Sequence, residues 1–104
     1  LKTLSDIQAE LAAWAAEAVP DADHLAKMRE EFDELLDKPG NAHEMADLFM
    51  ALLVHASSCG VDIEAAVMEK LQIVKGRTYG APDENGVARH IRHKEMECGK
   101  DSGK

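Results

Sequence analysis

Glu31 and Glu34 lie three positions apart, as do Glu44 and Asp47, and the two acidic pairs stand symmetrically about Pro39. Glu34 and Glu44 are each five residues from it, and Glu31 and Asp47 are each eight. The i,i+3 spacing puts both members of a pair on one helical face, with Cβ atoms about 5–6 Å apart. If Lys38-Pro39-Gly40-Asn41 turns the chain between two antiparallel helices, residues equidistant from the turn reach the same height and four carboxylates converge. Like charges at that range repel, so the arrangement calls for a cation. Hard divalent ions take oxygen ligands, and Mg²⁺ usually binds through a few carboxylates together with substrate phosphates. The spacing therefore points to a Mg²⁺ site serving a phosphorylated small molecule. One member has a simpler explanation: Glu44 is the third residue after Asn41 and there completes a helix capping box without any metal. Asp33, Asp37 and Glu30 read as ordinary solvated charge. Lys27 shares the flank of Glu31 and Glu34 and adds one ammonium to it.

Further along, Lys70 and Arg77 are seven residues apart, on one helical face about two turns apart, a spacing that can hold a pyrophosphate. They also read simply as cations favoured near a helix C-terminus. Trp14 is either a core residue or a stacking platform for a base. His24, His43, His55, His90 and His93 form no metal-ligand spacing, and the two Glu-x-x-His motifs of a di-iron helical protein are absent.

The elements that must position these groups are helices. Ser5-Asp-Ile-Gln8 reads as a capping box opening a first helix over about 6–18, with Ile7, Leu11, Trp14 and Ala18 on its stripe and Pro20 beyond its end. Asp21 or Asp23 caps a second, whose stripe is Leu25, Met28, Phe32, Leu35 and Leu36 and which ends near Asp37. Asn41 caps a third with the strongest stripe of the chain, Met45, Leu48, Phe49, Leu52, Leu53 and Ala56, and Gly60 fits the position just past its end. Small Ala51 leaves room beside that stripe. Asp62 caps a fourth helix reaching Lys75 or beyond, Gly80–Gly86 breaks it, and Val87–Arg92 reads as a short helix or a docked arm.

Abundant Ala, Leu, Met and Glu with four aromatic residues favour an all-α chain, a bundle of four antiparallel helices over 1–79 followed by an arm and partly mobile tail over 80–104. A chain of 104 residues buries only about two-thirds of its unfolded surface, so a second subunit is expected to complete it. The net charge of −8 argues against a nucleic-acid polymer as partner, since phosphate backbones are bound by clustered Lys and Arg. Cys59 and Cys98 lack CxxC spacing and indicate neither zinc nor a disulfide framework, which suits a reducing cytoplasm. No apolar stretch approaches the roughly 20 residues of a membrane span and no secretory signal is visible, so no membrane partner is expected.

Glu31-x-x-Glu34, a short turn, Glu44-x-x-Asp47, then a helix closing with Lys70-Leu-Gln-Ile-Val-Lys75-Gly-Arg77-Thr-Tyr79-Gly80, resembles the MazG-like all-α nucleotide pyrophosphohydrolases. Glu30-Glu31-Phe-Asp-Glu34 matches the doubled glutamate that opens their motif. Trp14…Pro20 and Pro82-Asp-Glu-Asn-Gly86-Val…His90-Ile look similar to the small dATP/dGTP diphosphohydrolase-type members, and the resemblance spans about 7–92. Val74 departs from the family, which often has Asn there, and Lys27 from its closest members, which often have His. The resemblance implies Glu31, Glu34, Glu44 and Asp47 as ligands of two or more Mg²⁺ or Mn²⁺ ions. It implies Lys70, Lys75 and Arg77 on the phosphates, Lys27 and Tyr79 among the substrate contacts, and Trp14 as the residue that stacks on the base. The expected reaction is hydrolysis of a purine (d)NTP, dGTP, GTP or dATP, between the α and β phosphates. Glu30, or whichever of Glu31 and Glu34 the metal does not fully engage, takes the proton of the attacking water. A homodimer or dimer of dimers is also implied. The alternatives are the same fold acting on dUTP or phosphoribosyl-ATP, or a non-catalytic helical module whose acidic face binds a basic partner.

Overall fold

Thr3, Asp23, Asn41 and Asp62 each precede a helix and each supplies a side-chain oxygen to its first turn. The computed structural model describes residues 1–91, and within them α1 is Leu4–Ala18, α2 His24–Asp37, α3 Ala42–Ser58 and α4 Ile63–Lys75. Asp23 Oδ1 accepts from the Leu25 and Ala26 N–H groups, Asn41 Oδ1 from those of His43 and Glu44, and Asp62 Oδ1 from that of Glu64. Each bond satisfies a donor that has no partner within its helix. Among the described residues the chain is all-α, without strands, and an isolated antiparallel bridge joins Tyr79 to His90.

The start of α1 departs from expectation. The capping box is formed by Thr3 and Asp6, with Asp6 N–H donating to Thr3 Oγ1 at 3.1 Å and Thr3 N–H to Asp6 Oδ2 at 3.0 Å. Ser5 and Gln8 are engaged elsewhere. Gln8 is buried, and its Nε2 donates to Val61 O, Ser57 Oγ and Leu53 O at 2.8, 3.0 and 3.3 Å while its Oε1 accepts from Ile63 N–H at 3.0 Å. Ser5 N–H reaches Glu64 Oε1 at 2.8 Å. These bonds tie α1 to the end of α3 and the start of α4. The corner between α3 and α4 is a Schellman turn: Gly60, at φ +74°, lets its own N–H reach Ser57 O and the Val61 N–H reach Ala56 O.

The chain divides into two compact units, Leu1–Met68 and a second that begins at Glu69. In the first, α3 packs against both α1 and α2. The buried apolar residues there are Ala15, Ala51, Leu53 and Ala56, of which Leu53 and Ala56 belong to the α3 stripe that periodicity singled out and Ala51 lies beside it. Small residues at three of these positions let helix backbones approach closely. Much of the expected stripe remains exposed, including Leu25, Phe32 and Leu36 on α2 and Met45 and Phe49 on α3.

In the second unit the chain after α4 folds back on itself. Gly80 N–H donates to Arg89 O and Ile91 N–H to Thr78 O, while Asp83 Oδ1 accepts from the Asn85 and Val87 N–H groups at the tip. Gly86 takes φ +82°, a conformation that favours glycine, and Arg89 Nη1 bonds Asp83 Oδ2 at 2.6 Å. Residues 87–91 are therefore the return limb of a hairpin-like loop rather than a short helix. The tail beyond, with His93, Cys98 and the polar end from Glu97, lies outside the described residues.

Candidate metal centre

The turn that joins α2 to α3 decides what its acidic residues face. Lys38 N–H bonds the Glu34 and Leu35 carbonyls at 3.2 and 3.1 Å, closing α2, and Asn41 N–H donates to Lys38 O at 3.0 Å. That last bond consumes the donor that a Glu44 capping box needs. Glu44 is thus not a cap, and its Oε1 is buried with no hydrogen-bond partner.

The carboxylates converge as the mirrored spacing predicts. One oxygen each from Glu31, Glu44 and Asp47 lie within 4.8 Å of one another, and so do oxygens of Glu30, Glu31 and Glu34. Glu31 belongs to both groups and is the most enclosed acid among the described residues, at 4% exposure. Its Oε2 is 2.8 Å from Lys27 Nζ, which also lies 3.1 Å from Glu30 Oε1. Its Oε1 has no partner. A buried carboxylate oxygen without a donor loses hydration and regains nothing, and the two such atoms, on Glu31 and Glu44, are ones that a bound cation would satisfy. The donor set is entirely oxygen, as a hard divalent ion requires. These residues fit Mg²⁺ or Mn²⁺.

The charges leave their mark on titration. Hydrogen bonding to Glu31 and Glu30 holds the Lys27 ammonium well above its ordinary pKa. The Glu31 charge, followed by partial loss of hydration and the charge of Glu44, pushes the Glu34 carboxyl upward. A carboxyl whose folded pKa is raised binds more protons folded than unfolded, so its stabilising contribution is complete below the ordinary value of 4.5 and is lost as pH rises through the folded value. Asp6 and Asp83 act oppositely: hydrogen bonds from Thr3 to Asp6 and from Arg89 to Asp83 lower their pKa values, and their contribution fades only below 3.8. Melting of the protein without added metal is therefore expected to move to higher temperature as pH falls through the raised Glu34 pKa toward 4.5. Glu34→Gln should flatten that rise. An unchanged pH profile in the variant would remove Glu34 from the repelling cluster.

Beside the carboxylates lies a cavity of about 670 Å³, in the range of a small-molecule site, lined by Trp14, Met50 and Val54 together with Lys27, Glu31 and Asp47. Trp14 is 59% exposed and so is a wall of this cavity, not a core residue. Small Ala51 also lines it. Met50 and Val54 escaped sequence reasoning although they continue the helical stripe from Asp47 at spacings of three and four. Lys70, Lys75, Arg77 and Tyr79 all belong to the second unit. The two lysines and Tyr79 are exposed, Arg77 is half-buried, and the Tyr79 ring meets the His90 ring edge-on with centroids 6.2 Å apart. Among the described residues, neither the lysines nor Arg77 form an ion pair.

No single helix among the described residues is long and apolar enough to cross a membrane. No family model matches the chain. It is 37% identical over 94 residues to the dATP/dGTP diphosphohydrolase of Cyanophage S-2L, covering 86% of this chain and 89% of that protein. A second dATP/dGTP diphosphohydrolase, of Salmonella phage PMBT28, is 32% identical over 86% of this chain and 32% of its own length. The fold matches a solved structure of the Cyanophage S-2L MazG-like pyrophosphohydrolase bound to dGDP and three catalytic Mn²⁺ ions per active site, with a TM-score of 0.75, 36% identity, and coverage of 88% of this chain and 94% of that one. A match over that share of 104 residues necessarily spans both acidic pairs and Lys27. The chain belongs to the MazG-like nucleotide pyrophosphohydrolases and is a nucleotide pyrophosphohydrolase.

Proposed function

We propose that this enzyme hydrolyses a purine deoxynucleoside triphosphate, dATP or dGTP, between the α and β phosphates, releasing the monophosphate and pyrophosphate. Glu31, Glu34, Glu44 and Asp47 hold two or more Mn²⁺ or Mg²⁺ ions. The observation that carries this reading is the pair of buried, unpartnered oxygens on Glu31 and Glu44 within one all-oxygen cluster. The names of the similar phage proteins supply the substrate class, and the Mn²⁺ ions of the similar structure support the metal.

Bound ions supply Lewis-acid polarisation of water and neutralise the triphosphate. Glu31, enclosed and shared between both acidic groups, fixes the position of the cluster. Glu30, more exposed and held by Lys27, accepts the proton of the attacking water. The apolar wall of the cavity, with Trp14, Met50 and Val54, receives the base, and Trp14 stacks on it. Lys70, Lys75, Arg77 and Tyr79 contact the phosphates. The exposed apolar side chains Phe32, Leu36, Met45 and Phe49 support a homodimer or dimer of dimers in which a second copy covers them. A nucleotide substrate and an unpaired Cys59 suit a cytoplasmic setting.

The test is incubation with dATP, dGTP, dUTP and phosphoribosyl-ATP in Mn²⁺ or Mg²⁺, scoring monophosphate and pyrophosphate. Purine deoxynucleotides should turn over fastest. Preferential hydrolysis of dUTP or phosphoribosyl-ATP would overturn the substrate assignment. A Trp14→Ala variant is expected to raise KM by roughly tenfold with kcat little changed, since base stacking is worth about 1–3 kcal/mol; an unchanged KM would remove Trp14 from the base site.

A further inference from the structure

We infer that Lys27 is the resident counter-ion of the carboxylate cage, held where a divalent ion would draw on the same oxygens and therefore competing with the first ion to bind. This rests on the metal reading of the site above and adds a loading step to it.

Lys27 Nζ lies between two carboxylates, 2.8 Å from Glu31 Oε2 and 3.1 Å from Glu30 Oε1. All three residues belong to one helix at spacings of three and four, so the bridge forms as soon as α2 does. Glu31 needs it. Its carboxylate is almost wholly enclosed, surrounded by acids, and has no hydrogen-bond donor at its other oxygen. Without Lys27 a buried negative charge would have neither water nor a partner, a state far costlier than an exposed charge.

Glu31 is also the one acid common to both three-carboxylate groups. An ion entering either group must draw on the residue that Lys27 holds. Half of the Lys27 side chain is open to solvent, at 53%, and a lysine stem has many rotamers. The ammonium is therefore a displaceable cation, firmly enough held to offset the charge of the acids and loosely enough held to leave them. Lys27 lines the same cavity as Trp14, Met50 and Val54. Once released from Glu31 it has only to stay in that cavity to meet an anionic ligand, so filling of the metal site and recognition of phosphate are linked through one side chain.

The experiment is a Mn²⁺ titration of the full chain without nucleotide, read by electron paramagnetic resonance of free Mn²⁺ and by melting. Lys27→Met should bind Mn²⁺ up to about fivefold more tightly than wild type, the scale of a half-exposed ion pair removed from competition. Its melting temperature without added metal should fall, and its metal-induced rise should exceed that of wild type. Lys27→Arg keeps the charge and grips carboxylates with a fork of donors; it should bind Mn²⁺ no more tightly than wild type and keep the metal-free melting temperature. Equal or weaker Mn²⁺ binding by Lys27→Met would overturn the counter-ion role while leaving the metal site intact. If wild type itself binds no Mn²⁺, the metal reading falls first and this inference with it.

Discussion

Glu31→Gln is expected to lower turnover by on the order of 10³-fold while leaving the protein without added metal at least as stable as wild type. The two halves of that result have one cause. Glu31 is nearly buried and shared by both three-carboxylate groups, and one of its oxygens has no donor. Removing its charge removes a ligand common to the whole cluster. Metal-ion catalysis supplies several kcal/mol of transition-state stabilisation, and each 1.36 kcal/mol is about a factor of ten in rate. Without metal the same substitution relieves repulsion among Glu30, Glu31, Glu34, Glu44 and Asp47 and ends the burial of a charge. What it loses is the contact with Lys27, whose exposed ammonium can turn to water and keeps Glu30. The net effect should be a melting temperature unchanged or raised by a few degrees. Circular dichroism melts and steady-state kinetics on one preparation decide it: retained turnover refutes the ligand assignment, and a fall of many degrees makes Glu31 a structural residue. Glu34→Gln should lose turnover in the same way with helicity preserved.

Stability and function thus oppose each other at this cluster, which is why its composition is legible in the chain. Solvated surface charge has no reason to match across a turn, whereas Glu31 with Asp47 and Glu34 with Glu44 are equidistant from Pro39. Three helix starts were equally legible, since Asp23, Asn41 and Asp62 each cap by bonds reaching only two or three residues ahead. The start of α1 was not. Thr3/Asp6 and Ser5/Gln8 are overlapping capping patterns, and the choice falls to Thr3 because Gln8 is taken by Leu53, Ser57, Val61 and Ile63, forty-five or more residues away. Local pattern does not encode such contacts.

The fate of Glu44 and Trp14 had the same origin. A capping box for Glu44 fits the Asn41-to-Glu44 spacing, and only the turn geometry, with Asn41 N–H donated to Lys38 O, leaves the Glu44 carboxylate out of the cap. Periodicity places Trp14 on an apolar stripe, yet it gives no account of which stripe finds a covering partner inside the chain. In this chain α3 is covered at Ala51, Leu53 and Ala56, so Met45, Phe49 and Trp14 are left outside the core. The Lys27 bridge needed no tertiary information: positions 27, 30 and 31 of one helix bring the groups together.

Saturating Mn²⁺ is expected to raise the melting temperature by about 10–20 °C, and Glu44→Gln to remove most of that rise. A ligand that binds only the folded state adds about 2.7 kcal/mol at a hundred times its dissociation constant, and in a domain of this size each kcal/mol moves melting by about 4–8 °C. The effect at this site has two contributions of the same sign. Binding stabilises by mass action, and the ion also cancels the repulsion that lifts the Glu34 pKa. The rise should therefore be larger where Glu34 is ionised than at a pH low enough to protonate it, where part of the repulsion is already relieved. Chelation with EDTA should return the curve to its metal-free position. Glu44 is the sharpest probe because capping, the one structural duty its position suggested, is performed without its carboxylate. A Glu44→Gln variant that melts like wild type without metal and gains little from Mn²⁺ ties its buried, unpartnered oxygen to the ion alone. A full Mn²⁺ response in that variant would place the ion with Glu30, Glu31 and Glu34, on α2 only, and leave the symmetry about Pro39 without a chemical purpose.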